Sequence, residues 1–167
     1  MTRRQWRPDL LVGFEQLLLP LEPSPDNMAG DPESGFSAVL VRPVEQAGSA
    51  RAVLYVHGWN DYFFQRHVAT YWVNQGYDFY ALDLRRYGRS WVQGQLRGFT
   101  TDLSEYFEEL DQAVGEMQSE HDHIVLMGHS TGGLITALFA DQRPGVCDAF
   151  VLNSPWLDLQ GGPLARA

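Results

Sequence analysis

Sulfur, basic charge and long apolar runs are all in short supply. Cys147 is the one cysteine among 167 residues, which excludes a disulfide framework and a thiolate metal site. It stands at the start of an apolar run and reads as a buried structural thiol. Only 12 Lys+Arg face 21 Asp+Glu, and the formal net charge of −9 argues against nucleic acid and against an anionic membrane surface. No segment approaches the apolar length of a membrane span. Glu15 and Gln16 interrupt the first apolar stretch, and no small-residue cleavage site follows, so a signal peptide is not expected and a cytoplasmic location is. Neither a Gly-x-Gly-x-x-Gly turn after the first strands nor a Gly-Lys-Ser/Thr loop is present, which disfavours a nucleotide-binding domain. No metal-ligand spacing occurs, so neither metal nor cofactor is expected. Most telling, none of the 37 residues after Ser130 is a histidine.

The composition that is present suits a core. Hydrophobic residues make up 44% and aromatic residues 13%, consistent with one domain over residues 1–167 and no bulk disorder. Residues 1–9 read as a polar lead-in and 10–19 as a strand ended by Pro20. Residues 22–34 form a loop rich in Pro, Asp, Gly and Ser, and 36–41 a second strand closed by Pro43. Residues 52–56 are apolar on both faces, as in a central parallel strand covered on each side. Apolar positions 64, 68, 71 and 72 predict a helix over 63–75, capped by Gly76. A strand over 78–84 follows. Asp102 and Glu105 form a capping box ahead of a helix whose apolar face carries Leu103, Tyr106, Phe107, Leu110, Val114 and Met117. Strands at 123–127 and 149–152 enclose a helix over 131–141. Such alternation predicts an α/β fold, its parallel sheet flanked by helices and its ligand site at the carboxyl ends of the strands.

The stretch from His123 to Leu134 concentrates the chemistry. Four apolar residues run into Gly128-His129-Ser130-Thr131-Gly132, and a helical pattern follows at once. A strand that reverses into a helix within one residue leaves no room for side chains beside it, hence the glycines at 128 and 132. Ser130 is then held at a strained position with its hydroxyl exposed, and the Thr131 amide, first in the helix, points at the same spot. The alternative is an ordinary strand–helix turn in which Ser130 caps the helix.

Three motifs in this order resemble the α/β-hydrolase superfamily, within it the monoglyceride-lipase-like and lysophospholipase-like serine hydrolases of the serine aminopeptidase S33 type. Val56-His57-Gly58-Trp59 is similar to the family's oxyanion turn, residues 83–90 to its Asp-x-Arg-Gly-x-Gly-x-Ser loop, and Gly128 to Gly133 to its nucleophile elbow. The likeness covers residues 36–156. Arg86 departs from it, standing where the family usually has Gly, which implies a differently positioned loop. The resemblance implies a three-layer α/β/α fold with a mostly parallel sheet, Ser130 as nucleophile, and the amides of Trp59 and Thr131 as oxyanion hole. His57, Gly58, Gly128, His129 and Gly132 become the supporting turns. His57 supports its own loop, and His129, in the x position of the elbow, is placed where it cannot take the serine proton. His67, His121 and His123 read as exposed or helix-end residues. A small-molecule ester or lipid acyl substrate is implied, with no nucleic acid partner and no integral membrane segment. Trp59, Tyr62, Phe63 and Phe64 suit an apolar acyl chain and suit a core equally well.

A serine hydroxyl needs a positioned base, and the resembled family places its acid and then its histidine after the serine. Asp141 and Asp148 fall in the helix and at the wrong end of the sheet. Asp158 falls at the right end with no histidine to orient. The expectation is therefore the N-terminal portion of a hydrolase, lacking lid and last strands, with residues 149–152 left as an unpaired apolar edge. The rival reading is a non-catalytic hydrolase-fold protein that acts in binding or as a subunit.

Overall fold

The computed structural model describes residues 5–23, 31 and 35–158. Seven strands form one sheet in the order β1-β2-β3-β5-β4-β6-β7. They are β1 (Arg7–Pro8), β2 (Phe14–Leu21), β3 (Phe36–Pro43), β4 (Arg51–Val56), β5 (Asp78–Asp83), β6 (His123–His129) and β7 (Ala149–Asn153). The first three are antiparallel and β3 pairs antiparallel with β5. From β5 through β4 and β6 to β7 every pairing is parallel. The chain leaves β4 toward β5 and then crosses back to lay β6 on the other side of β4. That reversal opens a crevice at the carboxyl ends of β4 and β6.

Side-chain alternation along the central strand builds the layers. Ala52, Leu54 and Val56 face one core, shared with α2 (Phe107–Gln118) and α3 (Thr131–Gln142) through Leu110, Val114, Ile135 and Phe139. Val53 and Tyr55 face the other, with Phe63 and with Ala69 of α1 (Arg66–Asn74). The result is the expected α/β/α arrangement, burying β4 on both faces as its unbroken apolar run requires.

Several local expectations change. Pro20 lies inside β2, opposite Ser37. The two-residue β1 pairs only near Glu15 and Gln16, so Pro20 sits where β2 is a free edge and its missing N–H breaks no ladder. The first helix begins at Arg66, with Tyr71 exposed and Ala69 buried in its place. The capping box is half formed. Asp102 Oδ1 accepts from the Ser104 amide at 2.8 Å, while Glu105 turns away to Arg85 and Arg86. One 3₁₀ turn, Leu103–Tyr106, therefore precedes α2. Cys147 is only partly buried, packed against the core. His121 is a buried residue, its Nδ1 2.9 Å from the Ser49 carbonyl and its Nε2 3.0 Å from the Tyr80 hydroxyl. Among the described residues β7 pairs on one side only, and Phe150 and Leu152 stay exposed.

Candidate active site

Each of the four parallel strands runs into a non-glycine residue of positive φ. These are Asn60 (φ 57°) after β4, Arg86 (64°) after β5, Ser130 (53°) after β6 and Ser154 (47°) after β7. Left-handed backbone is costly for such residues and collects at functional edges. The strained positions of the described chain thus share one end of the sheet.

Ser130 sits between β6 and α3 at φ 53° and ψ −120°. Its amide donates to the Asn153 carbonyl at 3.1 Å, and its own carbonyl accepts from Gly133 (3.0 Å) and Trp156 (2.9 Å). Small neighbours admit this bend. A Cβ on Gly132 would strike the backbone carbonyl oxygens of His57 and Val56, and one on Gly128 would come within 2.5 Å of the Gly133 Cα. A Cβ on Gly58 would lie 3.0 Å from that of Ser130, so the turn after β4 rests directly against the serine.

Two peptide groups beside Ser130 are held in orientation by their own carbonyls. A peptide is planar and trans, so fixing its C=O aims its N–H the opposite way. The Gly58 carbonyl, in one peptide with the Trp59 N–H, lies 2.8 Å from His57 Nδ1. The Ser130 carbonyl, in one peptide with the Thr131 N–H, is held from Gly133 and Trp156. Thr131 opens a 12-residue helix, and its amide has no acceptor within that helix. Partial positive charge at a helix start favours an anion forming there.

His57 is 1% exposed. Its Nε2 accepts from the Leu84 amide at 3.2 Å, so Nδ1 carries the proton given to Gly58 and the ring is neutral. Burial holds its pKa below the ordinary imidazole value, outweighing the opposing pull of Asp83. His129 Nδ1 lies 3.2 Å from the Asn153 carbonyl. Neither ring hydrogen-bonds the Ser130 hydroxyl among the described residues.

Above Ser130 lies a cavity of about 640 Å³, lined among others by Trp59, Tyr87, Tyr106, Ile135, Thr131 and Trp156. The tyrosines come from the loop after β5 and the turn before α2. Burial raises both phenol pKa values, and the two rings pack with centroids 6.4 Å apart. The Tyr87 hydroxyl donates to the Gly98 carbonyl at 3.4 Å. The four aromatic residues near the oxyanion turn divide their duties. Phe63 is core, Trp59 lines the cavity at 66% exposure, and Tyr62 and Phe64 border a neighbouring groove.

Asp83, fully buried at the end of β5, ties the two flanking loops together. Its carboxylate accepts from the Phe63 amide (2.8 Å), the Arg89 amide (3.0 Å) and the Arg89 guanidinium (2.8 Å). Sequence reasoning placed Asp83 and Tyr87 within the motif of residues 83–90 and Tyr106 on the apolar face of a helix, but assigned none of them, nor Trp156, to the site. Asp148 lies at the opposite end of the sheet as expected, accepting from the Ile124 amide at 2.8 Å. Among the described residues no group of His, Cys, Asp and Glu is arranged to hold a metal, and no helix is long and apolar enough to cross a membrane.

Comparison with known proteins bears on the family and the fold. Residues 48–167 match the family described as serine aminopeptidase, S33. Over 113 residues the chain is 34% identical to a monoacylglycerol lipase of Mycolicibacterium smegmatis, covering 66% of this chain and 39% of that relative. The fold is similar to acetyl xylan esterase 1 from Thermoanaerobacterium sp. JW/SL YS485, with a TM-score of 0.61 at 19% identity over 93% of this chain and 53% of that one. A thioesterase domain from the curacin biosynthetic pathway gives 0.60 at 23% identity over 81% and 48%. At such identities the structural likeness speaks for the fold alone.

Proposed function

The chain belongs to the serine aminopeptidase S33 family of α/β-hydrolases, and from that premise we propose that Ser130 is the nucleophile of a carboxylic ester hydrolase. In this reading Ser130 Oγ bonds to the ester carbonyl carbon as its proton passes to a base. The oxyanion forms between the amides of Trp59 and Thr131. The tetrahedral intermediate expels the alcohol, which takes up the proton, and water then releases the acid from the acyl-serine. The observation that carries the reading is a serine held at φ 53° against the start of α3, at the base of an apolar cavity. Trp59, Tyr87, Ile135 and Trp156 suit the acyl chain of a lipid, as in lysophospholipid or monoacylglycerol hydrolysis. Single-domain organisation over residues 1–167 and a cytoplasmic location belong to the same proposal.

The base is a separate matter. His57 and His129 hydrogen-bond elsewhere. His121 and His123 stand at the opposite end of β6, and His67 on exposed α1. The proton acceptor in this reading lies outside the five histidines of this chain. That same observation favours a second reading, a hydrolase-fold protein that binds acyl compounds without turning them over. Labelling with a fluorophosphonate separates the two. Covalent modification that Ser130→Ala abolishes supports the nucleophile, whereas a wild-type chain that stays unlabelled supports binding.

A further inference from the structure

Arg86 sits where the resembled motif carries glycine, and its backbone takes a left-handed φ of 64°. The side chain supplies interactions that hold this bend. The guanidinium is 1% exposed and pairs with Asp31 at 2.8 Å and Glu105 at 3.3 Å. It also donates to the Phe99 carbonyl at 2.8 Å, while the Arg86 carbonyl accepts from the Gly98 amide at 3.1 Å. Phe36 lies under it, with the guanidinium carbon 4.5 Å from the ring centroid.

Three of these contacts land on one wall of the cavity. Gly98 and Thr100 line it on either side of Phe99, and Glu105 lies between the lining residues Leu103 and Tyr106. Gly98 packs so closely on Tyr87 that a Cβ there would come within 2.6 Å of the phenol ring. We infer that Arg86 is a positioning residue for the acyl cavity. It clamps the backbone at residues 98–99 and the turn at 105 to the end of β5, and so sets how far that wall stands from Ser130. A glycine keeps the bend and loses the clamp. The term acyl cavity rests on the proposed function; the clamp itself does not.

The test compares wild type, Arg86→Gly and Arg86→Lys. Lysine keeps a charge for Asp31 and loses the fork that reaches Phe99 and Glu105 together. Amide hydrogen exchange is read over residues 97–101, with residues 123–128 of β6 as internal reference. The inference expects exchange at 97–101 in Arg86→Gly to rise about tenfold beyond any rise that global destabilisation brings to the β6 reference, and less in Arg86→Lys. Equal acceleration of both segments, or none at 97–101, overturns it, because Arg86 is then merely structural or idle. Binding of laurate and hexanoate, read by tryptophan fluorescence, supplies the second arm. Arg86→Gly is expected to weaken laurate about fivefold and leave hexanoate within about twofold, since only the longer chain reaches the displaced wall. Equal losses for both acids reject a role in shaping that wall. A wild-type chain that binds neither acid sinks the acyl reading of the cavity, while the exchange result still decides the clamp.

Discussion

Ser130 and Arg86 are both non-glycine residues of positive φ at the ends of the two parallel strands that flank β4, and the protein holds them by opposite means. Around Ser130 the neighbours are stripped to glycine at 58, 128, 132 and 133, where an added Cβ would meet the backbone of Val56, His57 and Gly133 and the side chains of Ser130, Thr136 and Pro155. Around Arg86 the neighbours are charged: Asp31 and Glu105 close on the guanidinium, and Arg85 beside it pairs with Glu109 at 2.7 Å and Glu108 at 2.8 Å. The first device leaves the side chain of the strained residue unencumbered. The second consumes it. A residue meant to present a free hydroxyl suits only the first, and a residue that braces a wall suits the second.

The contrast is broken most forcefully at Arg86. Removing one member of a buried ion pair costs about 3–5 kcal/mol, because the partner's charge stays buried. Glycine at φ 64° returns roughly 1 kcal/mol of backbone strain. Arg86→Gly is therefore expected to lose about 2–4 kcal/mol in denaturant unfolding, and an unchanged midpoint refutes bracing by charge. The counterpart at the elbow is Gly132→Ala. Its new methyl meets the carbonyls of Val56 and His57, which cannot rotate aside as a side chain does. The expected loss is about 1–3 kcal/mol, together with loss of fluorophosphonate labelling as β4 and α3 part. Retained stability in this variant shows that the elbow has slack.

A smaller effect comes from His57, which orients the Trp59 peptide. Burial holds its folded pKa below the unfolded value of about 6.5. As pH falls through that value the unfolded chain takes up the proton first, so it binds more protons than the native state and stability declines. The stabilising contribution of the neutral ring is complete above pH ~6.5 and shrinks by up to about 1.4 kcal/mol per pH unit below it, until the folded pKa is reached. His57→Asn is expected to flatten this slope in unfolding measured between about pH 7 and pH 5. An identical slope in both proteins would place the acid sensitivity elsewhere.

The tight strand-to-helix turn at Ser130 was legible from the sequence, and the brace was not, for a physical reason. Close backbone packing is written locally: an apolar strand, glycines two residues either side of a serine, and a helical period directly after. The pairing of Arg86 with Asp31 spans 55 residues, and that of Arg89 with Asp9 spans 80. No local period marks either. Family likeness marked Arg86 as a departure from glycine but could not say what holds an arginine at φ 64°, because its partners lie far off in the chain. The capping box failed for a related reason. Glu105 matched the local signature, but two buried arginines compete for its carboxylate more strongly than a helix-end amide does. The strands from β3 onward were readable, since alternation and unbroken apolar runs follow from burial on one or two faces, whereas the strand expected over 10–19 begins only at Phe14. The two-residue β1 carries no such pattern, and the placement of Pro20 depends on where β1 stops.

Ser130→Gly gives the finest test, because its predicted sign is opposite to that at Arg86. Serine at φ 53° and ψ −120° carries strain of about 1–3 kcal/mol. Glycine removes that strain but adds roughly 0.4–1 kcal/mol of conformational freedom to the unfolded chain. The side chain donates to no structural partner among the described residues that would be lost in exchange. The net expectation is a gain of about 1 kcal/mol, read as a higher denaturant midpoint at unchanged slope, with all covalent labelling abolished. Ser130→Ala keeps the strained Cβ and is expected to leave the midpoint where it was. If both variants shift stability equally, the bend at residue 130 stores no strain, and the two ways of holding left-handed backbone in this sheet reduce to one.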